Sequence, residues 1–371
     1  MKYDKIIVGA GLSGATIAER CASSGNKVLI IDKRNHIAGN IYDEVDEKTG
    51  IRVSKYGAHL FHTNDTGVWE YIQQFGEWKR WDHRVLAELS GIHVPVPVNI
   101  NTVNALYDLD ITTEDEMRMW LEKEQVPCST PKNSEDVALS RVGPRLYEQL
   151  FHNYTVKQWA RKPAELDPSV LERIPIRTNF DDRYFTDKFQ FLPVNGYTAI
   201  VEKMLSSPNI TIRLNTDWEE IREEISDEEI IFTGPIDGYF KNSGLPNLEY
   251  RSINFEWSTI QLEGYAQPNS VVNYPSKNTP YTRCIEYKHF LNQKSAWTIL
   301  SKETTTDIGE PYYPVPTARN RELYGKYLEL TKGVPKVHFI GRLATYKYFN
   351  MDQAIRAALD YYEAHLANYS L

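Results

Sequence analysis

The sequence predicts an α/β protein, a Rossmann-like dinucleotide-binding domain carrying an inserted helical domain and an antiparallel β-sheet domain. Three observations predict it. A glycine-rich fingerprint lies at the N-terminal end. Short apolar runs of parallel-strand type recur late in the chain. Between them the apolar pattern switches to helical spacing and then to strict alternation.

The fingerprint comes first. Ile6-Ile7-Val8 is an apolar run, and Gly9-Ala10-Gly11-Leu12-Ser13-Gly14 follows directly. A helix-compatible segment, Ala15 to Ala22, leads to a second apolar run, Val28 to Ile31, which ends in Asp32. Strand, tight turn, helix, strand and acid are the context that gives G-x-G-x-x-G its meaning. Gly9 permits the turn, Gly11 lets a pyrophosphate approach the backbone, and Gly14 lets the helix pack close to the strand. The helix N-terminus offers free N–H groups to phosphate, and Asp32 can accept from a ribose. The bland alternative is a βαβ unit with no ligand.

The middle elements follow. Asn64-Asp65-Thr66 can cap a helix through Val68, Trp69, Tyr71, Ile72 and Phe75. Asp115 to Glu124 and Glu135 to Phe151 carry helical spacing, interrupted earlier by a strand pair at Val85–Leu89 and His93–Pro97. Trp69, Trp78, Trp81 and Trp120 read as packing of this helical part, and Asp82 beside Arg84 as a solvated pair. Thr198–Leu205 reads as a helix. Ile210–Leu214 and Glu229–Thr233 read as strands returning to the first domain. Alternation then predicts strands at Ser252–Glu256, Ser258–Leu262, Ser270–Tyr274, Cys284–Tyr287 and Ala296–Ser301. Val337–Ile340 is a last strand, and a helix runs from about Met351 to Ala367. The nucleotide domain is therefore discontinuous: 1–65, 195–245 and 315–371. The helical domain takes 66–170, with a mobile loop near 160–178, and the sheet domain takes 171–194 and 246–314.

Composition narrows the function. The chain has 371 residues, 41% apolar and 25% charged, with net charge −8 spread along its length. That argues against a nucleic-acid partner, which needs a basic surface. No apolar stretch is long enough for membrane insertion. The first strand begins within a few residues of Met1, so no signal peptide is expected. Cys21, Cys128 and Cys284 are far apart and form neither a disulfide framework nor a metal site, so a reducing, cytoplasmic setting is expected.

Several blocks are too polar and aromatic to serve folding alone. They are Tyr56 to Thr63, with His59 and His62; Tyr154 to Trp159; Arg173-Ile174-Pro175-Ile176-Arg177, two arginines around a proline as in an anion clamp; Pro280 to Arg283; Glu310 to Pro314; and Gly341 to Met351. In this order, behind this fingerprint, they resemble the bacterial UDP-galactopyranose mutases over nearly the whole chain. The resemblance implies a flavoenzyme that binds FAD and interconverts UDP-galactopyranose and UDP-galactofuranose. N5 of the reduced FAD acts as nucleophile at the anomeric C1, with no net redox change. It also implies a homodimer.

The resemblance assigns residues. Arg173 and Arg283 are the diphosphate arginines, ringed by Tyr184, Tyr313 and Tyr348. Trp159 lies on the mobile segment, and Phe151, Tyr154, Thr155 and Asn273 lie near the uridine. His62 lies beside the flavin. The FAD set is Gly9, Gly11, Leu12, Ser13, Gly14, Asp32, Lys33, Gly39, Asn40, Arg342 and Met351. The helix starting near Met351 points its N-terminus at the flavin. His59 is either a substrate contact or a core histidine.

Two positions depart from the family pattern. Asn350 stands where aspartate is usual, and Asp82-His83-Arg84 stands where Thr-Asn-Ser is usual, with His83 near the substrate. Both departures leave the sugar open: UDP-N-acetylgalactosamine, UDP-arabinose or a dTDP-linked deoxysugar are alternatives. An FAD-dependent oxidoreductase of the amine-oxidase type, or a non-catalytic binding protein on the same fold, are further readings.

Overall fold

The structure, a computed structural model, describes residues 2–225 and 228–367. Its nucleotide-binding part is a parallel sheet in the spatial order Ile210–Arg213, Val28–Ile31, Lys5–Val8, Glu229–Phe232, Val337–Phe339. Alternate residues serve opposite cores. Ile7, Val28, Ile30 and Ile231 face helices Leu12–Ser23, Gly196–Met204 and Met351–Tyr361. Ile6, Leu29, Ile31, Ile230 and Phe232 face Trp218, Ile221 and Tyr239 on the other side. Burial on both faces is why the three central strands, Lys5–Val8, Val28–Ile31 and Glu229–Phe232, read as apolar runs.

The fingerprint glycines have separate physical reasons. Gly9 has φ +106°, and a Cβ there would lie 2.1 Å from Thr233 Oγ1. A Cβ on Gly14 would lie 2.0 Å from Gly9 O, so helix and strand could not close. The helix begins at Leu12, earlier than its apolar spacing indicates, because the turn itself winds into it.

The second sheet has the order Tyr313–Pro314, Tyr250–Gln261, Trp297–Thr306, Arg283–Glu286, Val271–Asn273, Val85–Leu89, Ile92–Val96. Two expectations change here. The segments at 252–256 and 258–262 are one continuous strand, paired with Trp297–Thr306 from Ser252↔Thr306 to Gln261↔Trp297. From Glu256 to Gln261 the strand is exposed on both faces, so the sequence there carries no buried–exposed alternation to mark it as one element. The hairpin at 85–96 does not interrupt the helical part. It extends this sheet through a parallel pairing of Leu86 and Ala87 with Val272 and Asn273.

The helical part packs around Val103, Met117, Leu121, Val142, Leu146 and Phe151. Helix Ser134–Leu146 does not run smoothly to Phe151. Gly143 has φ +74° at a kink before Pro144, and a Cβ there would meet Glu124 O at 2.1 Å. A wide π-turn, Tyr147–His152, then leads into helix Asn153–Trp159. Asp65 caps helix Thr66–Ile72 as expected, accepting from Val68 N at 3.0 Å.

Trp120 belongs to the helical core. Trp69, Trp78 and Trp81 instead pack against the nucleotide-binding core. Trp69 stacks on Phe191 at 4.4 Å, over a small sheet of Phe61–Thr63, Phe189–Pro193 and Trp78–Arg80. Asp82 pairs with Arg80 at 2.6 Å rather than with Arg84. Among the described residues, no helix is long and apolar enough to cross a membrane.

Candidate active site

The C-terminal ends of strands Lys5–Val8, Val28–Ile31 and Glu229–Phe232 open onto a cavity of about 560 Å³. Gly9, Gly11, Leu12, Ser13, Asp32, Lys33, Gly39, Asn40, Arg342 and Met351 all line it. Gly14 does not; its role is the helix–strand approach above. Gly11 faces the cavity, and a Cβ there would meet only Gly39 Cα, at an ordinary 3.7 Å. The folded chain alone therefore leaves room for a methyl at 11, and the space is fit for a close-lying ligand. Asp32 accepts from Ala10 N at 2.8 Å and Arg34 N at 2.9 Å, which holds its carboxylate at the strand end. The cradle, the helix N-terminus and the acid match what a dinucleotide needs.

A second cavity, of about 230 Å³, lies between the nucleotide-binding part, the helical part and the seven-stranded sheet. Helix Asn153–Trp159 and the turn before it bring Phe151, Tyr154, Thr155 and Trp159. The sheet brings Asn273, Arg283 and Tyr313, and the chain after helix Ser169–Glu172 brings Arg173 and Tyr184. His59, His62, His83, Tyr348 and Asn350 also line it. The two cavities share His59, Arg342, Asn350 and Met351. Asn350 is the N-cap residue of helix Met351–Tyr361, so that helix N-terminus points at the junction.

Positive charge is concentrated there. Arg173 lies over the Tyr348 ring at 5.1 Å, and Arg342 over Tyr348 at 4.9 Å and Tyr313 at 5.5 Å. Tyr313 and Tyr348 stack at 5.6 Å. Enclosure works to raise the Tyr348 phenol, but Arg173, Arg342 and Arg283 outweigh it and leave it below the ordinary tyrosine value. Arg283 Nε lies 2.8 Å from Glu303 Oε2, yet its N–H is not aimed at the carboxylate. Arg342 donates to Phe349 O and Tyr312 O, so it also ties the junction together.

Two of the lining histidines, His59 and His83, are held neutral. Burial and then Arg342 push His59 down to about 4, and burial and then Arg283 push His83 down to about 3. His83 is 3% exposed, boxed by Tyr184, Phe185 and Phe290. One expectation fails. Arg177 is no anion clamp: it is buried and spends its guanidinium on the carbonyls of Asp181, Arg183 and Tyr184.

Known proteins resemble the chain over most of its length. The family model for UDP-galactopyranose mutase matches residues 149–348, and one for NAD(P)-binding Rossmann-like domains matches 7–75. A probable UDP-galactopyranose mutase of Klebsiella pneumoniae is 38% identical, over 95% of this chain and 92% of that protein. The chain belongs to the UDP-galactopyranose mutase family. The family's members are mutases, a class of isomerase. A dTDP-fucopyranose mutase of Escherichia coli is 37% identical over 98% of both chains. The fold matches a crystal structure of reduced UDP-galactopyranose mutase with TM-score 0.78, at 16% identity, covering 99% of this chain and 96% of that one.

For a mutase of this family, sequence reasoning missed several residues at the site. Phe185 stacks on His62 at 3.6 Å, and Asp187 Oδ2 lies 3.1 Å from His62 Nδ1. Glu303 is the buried partner of Arg283. Lys157 donates to the carbonyls of Tyr274, Ser276, Thr279 and Tyr281, fastening the site helix to the loop before Arg283. The available signal was spacing: Phe185 and Asp187 flank Thr186 directly after Tyr184, and Lys157 lies between Tyr154 and Trp159.

Proposed function

We propose that this chain is an FAD-dependent mutase that interconverts the pyranose and furanose forms of a UDP-sugar, UDP-galactose first. The observation that carries the reading is the junction. A dinucleotide-shaped cavity and an arginine-rich cavity share Arg342, Asn350 and Met351. FAD would lie along Gly9, Gly11, Ser13, Asp32 and Gly39, with its ring end toward Met351. When bound and reduced, it supplies a nucleophilic nitrogen for the anomeric carbon.

The chain's own residues do the rest. Arg173 and Arg283 neutralise the diphosphate as its bond to the sugar breaks; fixed cations in a closed site stabilise such charge better than water does. Tyr184, Tyr313 and Tyr348 add donors around it, and Tyr154 and Phe151 hold the base. Trp159 and Phe185 narrow the cavity against water. Neutral His59 and His83 can orient the sugar without repelling the arginines. The well-separated free cysteines suit the cytoplasm, where we place the enzyme, as a homodimer.

The dTDP-fucopyranose mutase relative favours one second reading, a dTDP-linked deoxysugar. A substrate panel separates the two. Purified, flavin-loaded, dithionite-reduced protein is offered UDP-galactofuranose, UDP-N-acetylgalactofuranose and dTDP-fucofuranose side by side. Fastest conversion of UDP-galactofuranose supports the first reading. Conversion of the dTDP-sugar alone transfers it to the second. Inertness toward all three, with oxygen consumed on an amine, replaces both with an oxidase.

A further inference from the structure

His62 is held by a relay that ends on a backbone N–H. His62 and Gln190 face each other across the pairing of Phe61–Thr63 with Phe189–Pro193. Gln190, 1% exposed, donates from Nε2 to the carbonyls of Phe185 and Asp187, fixing the turn that carries both. On that turn Phe185 stacks on the His62 ring at 3.6 Å, 13° from parallel. Asp187 Oδ2 lies 3.1 Å from His62 Nδ1, and Asp187 Oδ1 accepts from Asn64 Nδ2 at 3.1 Å. Asn64 Oδ1 accepts in turn from Lys188 N at 2.9 Å.

Directions follow from donor and acceptor capacity. The Lys188 N–H can only donate, so it fixes the Asn64 oxygen toward itself and the Asn64 amide toward Asp187. An ionised carboxylate can only accept. His62 Nδ1 must therefore carry the proton. We propose that Asp187, oriented by Asn64, is a positioning residue that fixes His62 as the Nδ1–H tautomer. In the neutral imidazole Nε2 is then the acceptor, and because His62 lines the substrate cavity it is available to a sugar hydroxyl there. The inference rests on the proposed function for what Nε2 meets, but not for the tautomer.

Asp187→Asn makes the test sharp. An amide has one acceptor and one donor end. The Asn64 amide claims the acceptor, so the donor end turns to His62. Nδ1 must then accept, and Nε2 becomes N–H, a donor facing the sugar. In FAD-loaded protein labelled with 15N-histidine at pH 8, the His62 signal is assigned by its absence in His62→Gln. The expected result is Nδ1–H in the wild type and Nε2–H in Asp187→Asn. Mutase kcat/KM should fall about ten- to hundredfold in that variant. Asp187→Asn combined with Asn64→Ala frees the amide to turn its oxygen back, and should restore the Nδ1–H signal and part of the activity. A purely structural role predicts no such rescue. Nε2–H in the wild type, an unchanged tautomer in Asp187→Asn, or no return in the double variant would overturn the relay. If wild-type enzyme converts no nucleotide-sugar, the proposed function fails while the tautomer still decides this inference.

Discussion

Arg283 performs two tasks that one substitution would confuse. It faces the proposed diphosphate, and it compensates Glu303, which is 2% exposed and 2.8 Å from Arg283 Nε. Arg283→Ala leaves that carboxylate buried and unpaired. Breaking one half of a buried pair costs about 3–5 kcal/mol. At roughly 2 °C per kcal/mol for a large chain, the melting point should fall by about 6–10 °C. Burial already holds the Glu303 carboxyl above its ordinary value, with Arg283 pulling against it. Without Arg283 the carboxyl rises further. A carboxyl raised on folding leaves the fold unpenalised below its unfolded value, and stability is lost as pH climbs through the folded value. The melting gap from wild type should thus widen between pH 5 and pH 8. Adding Glu303→Gln removes the buried charge and should close most of the gap. Turnover is a separate matter: loss of one fixed cation at the leaving group should cut kcat by about 100- to 1000-fold, in both the single and the double variant. Calorimetry and a steady-state mutase assay on the two variants give the answer. Wild-type turnover in the stabilised double variant would refute the assignment of Arg283 to the leaving group.

Other substitutions separate cofactor, pH and specificity effects. Gly11→Ala should fold normally, since its Cβ meets only Gly39 Cα at 3.7 Å, but purify with little flavin. Gly14→Ala, with its Cβ 2.0 Å from Gly9 O, should lose about 1–3 kcal/mol of stability; melting and flavin absorbance distinguish the two. His83, held down to about 3 by burial, stabilises the fold above histidine's ordinary range, and that stability is lost as pH falls toward 3. His83→Phe should therefore show a shallower fall in melting temperature between pH 7 and pH 4. Asn350→Asp adds an anion at the N-terminus of helix Met351–Tyr361. It should raise stability by about 0.5–1 kcal/mol and shift the ratio of kcat/KM between UDP- and dTDP-sugars. An unchanged ratio removes Asn350 from sugar selection.

Much of the nucleotide-binding part was legible because its signals are local. The Gly9 turn, the Gly14 contact and the apolar runs before Asp32 each need only a few neighbouring residues. The blocks around His59, Trp159, Arg283 and Tyr348 were legible only as a set. They are scattered between residues 59 and 348, and only the fold gathers them along one cavity. Illegible features are those set by partners distant in sequence. Glu303 reads as an ordinary charged strand residue until Arg283 faces it. Arg177 looks like Arg173, but the turn at 181–184 consumes its donors. The hairpin at 85–96 gives no sign that its edge will meet Val272 and Asn273.

The proposed mutase reaction at the junction between the two cavities requires reduced flavin. The most direct measurement follows UDP-galactofuranose by chromatography, with one preparation of flavin-loaded protein assayed oxidised and dithionite-reduced. UDP-galactopyranose should form with the reduced enzyme only, and the flavin should still be reduced at the end. Equal conversion in both states, or flavin oxidised in proportion to product, would contradict the proposed reaction.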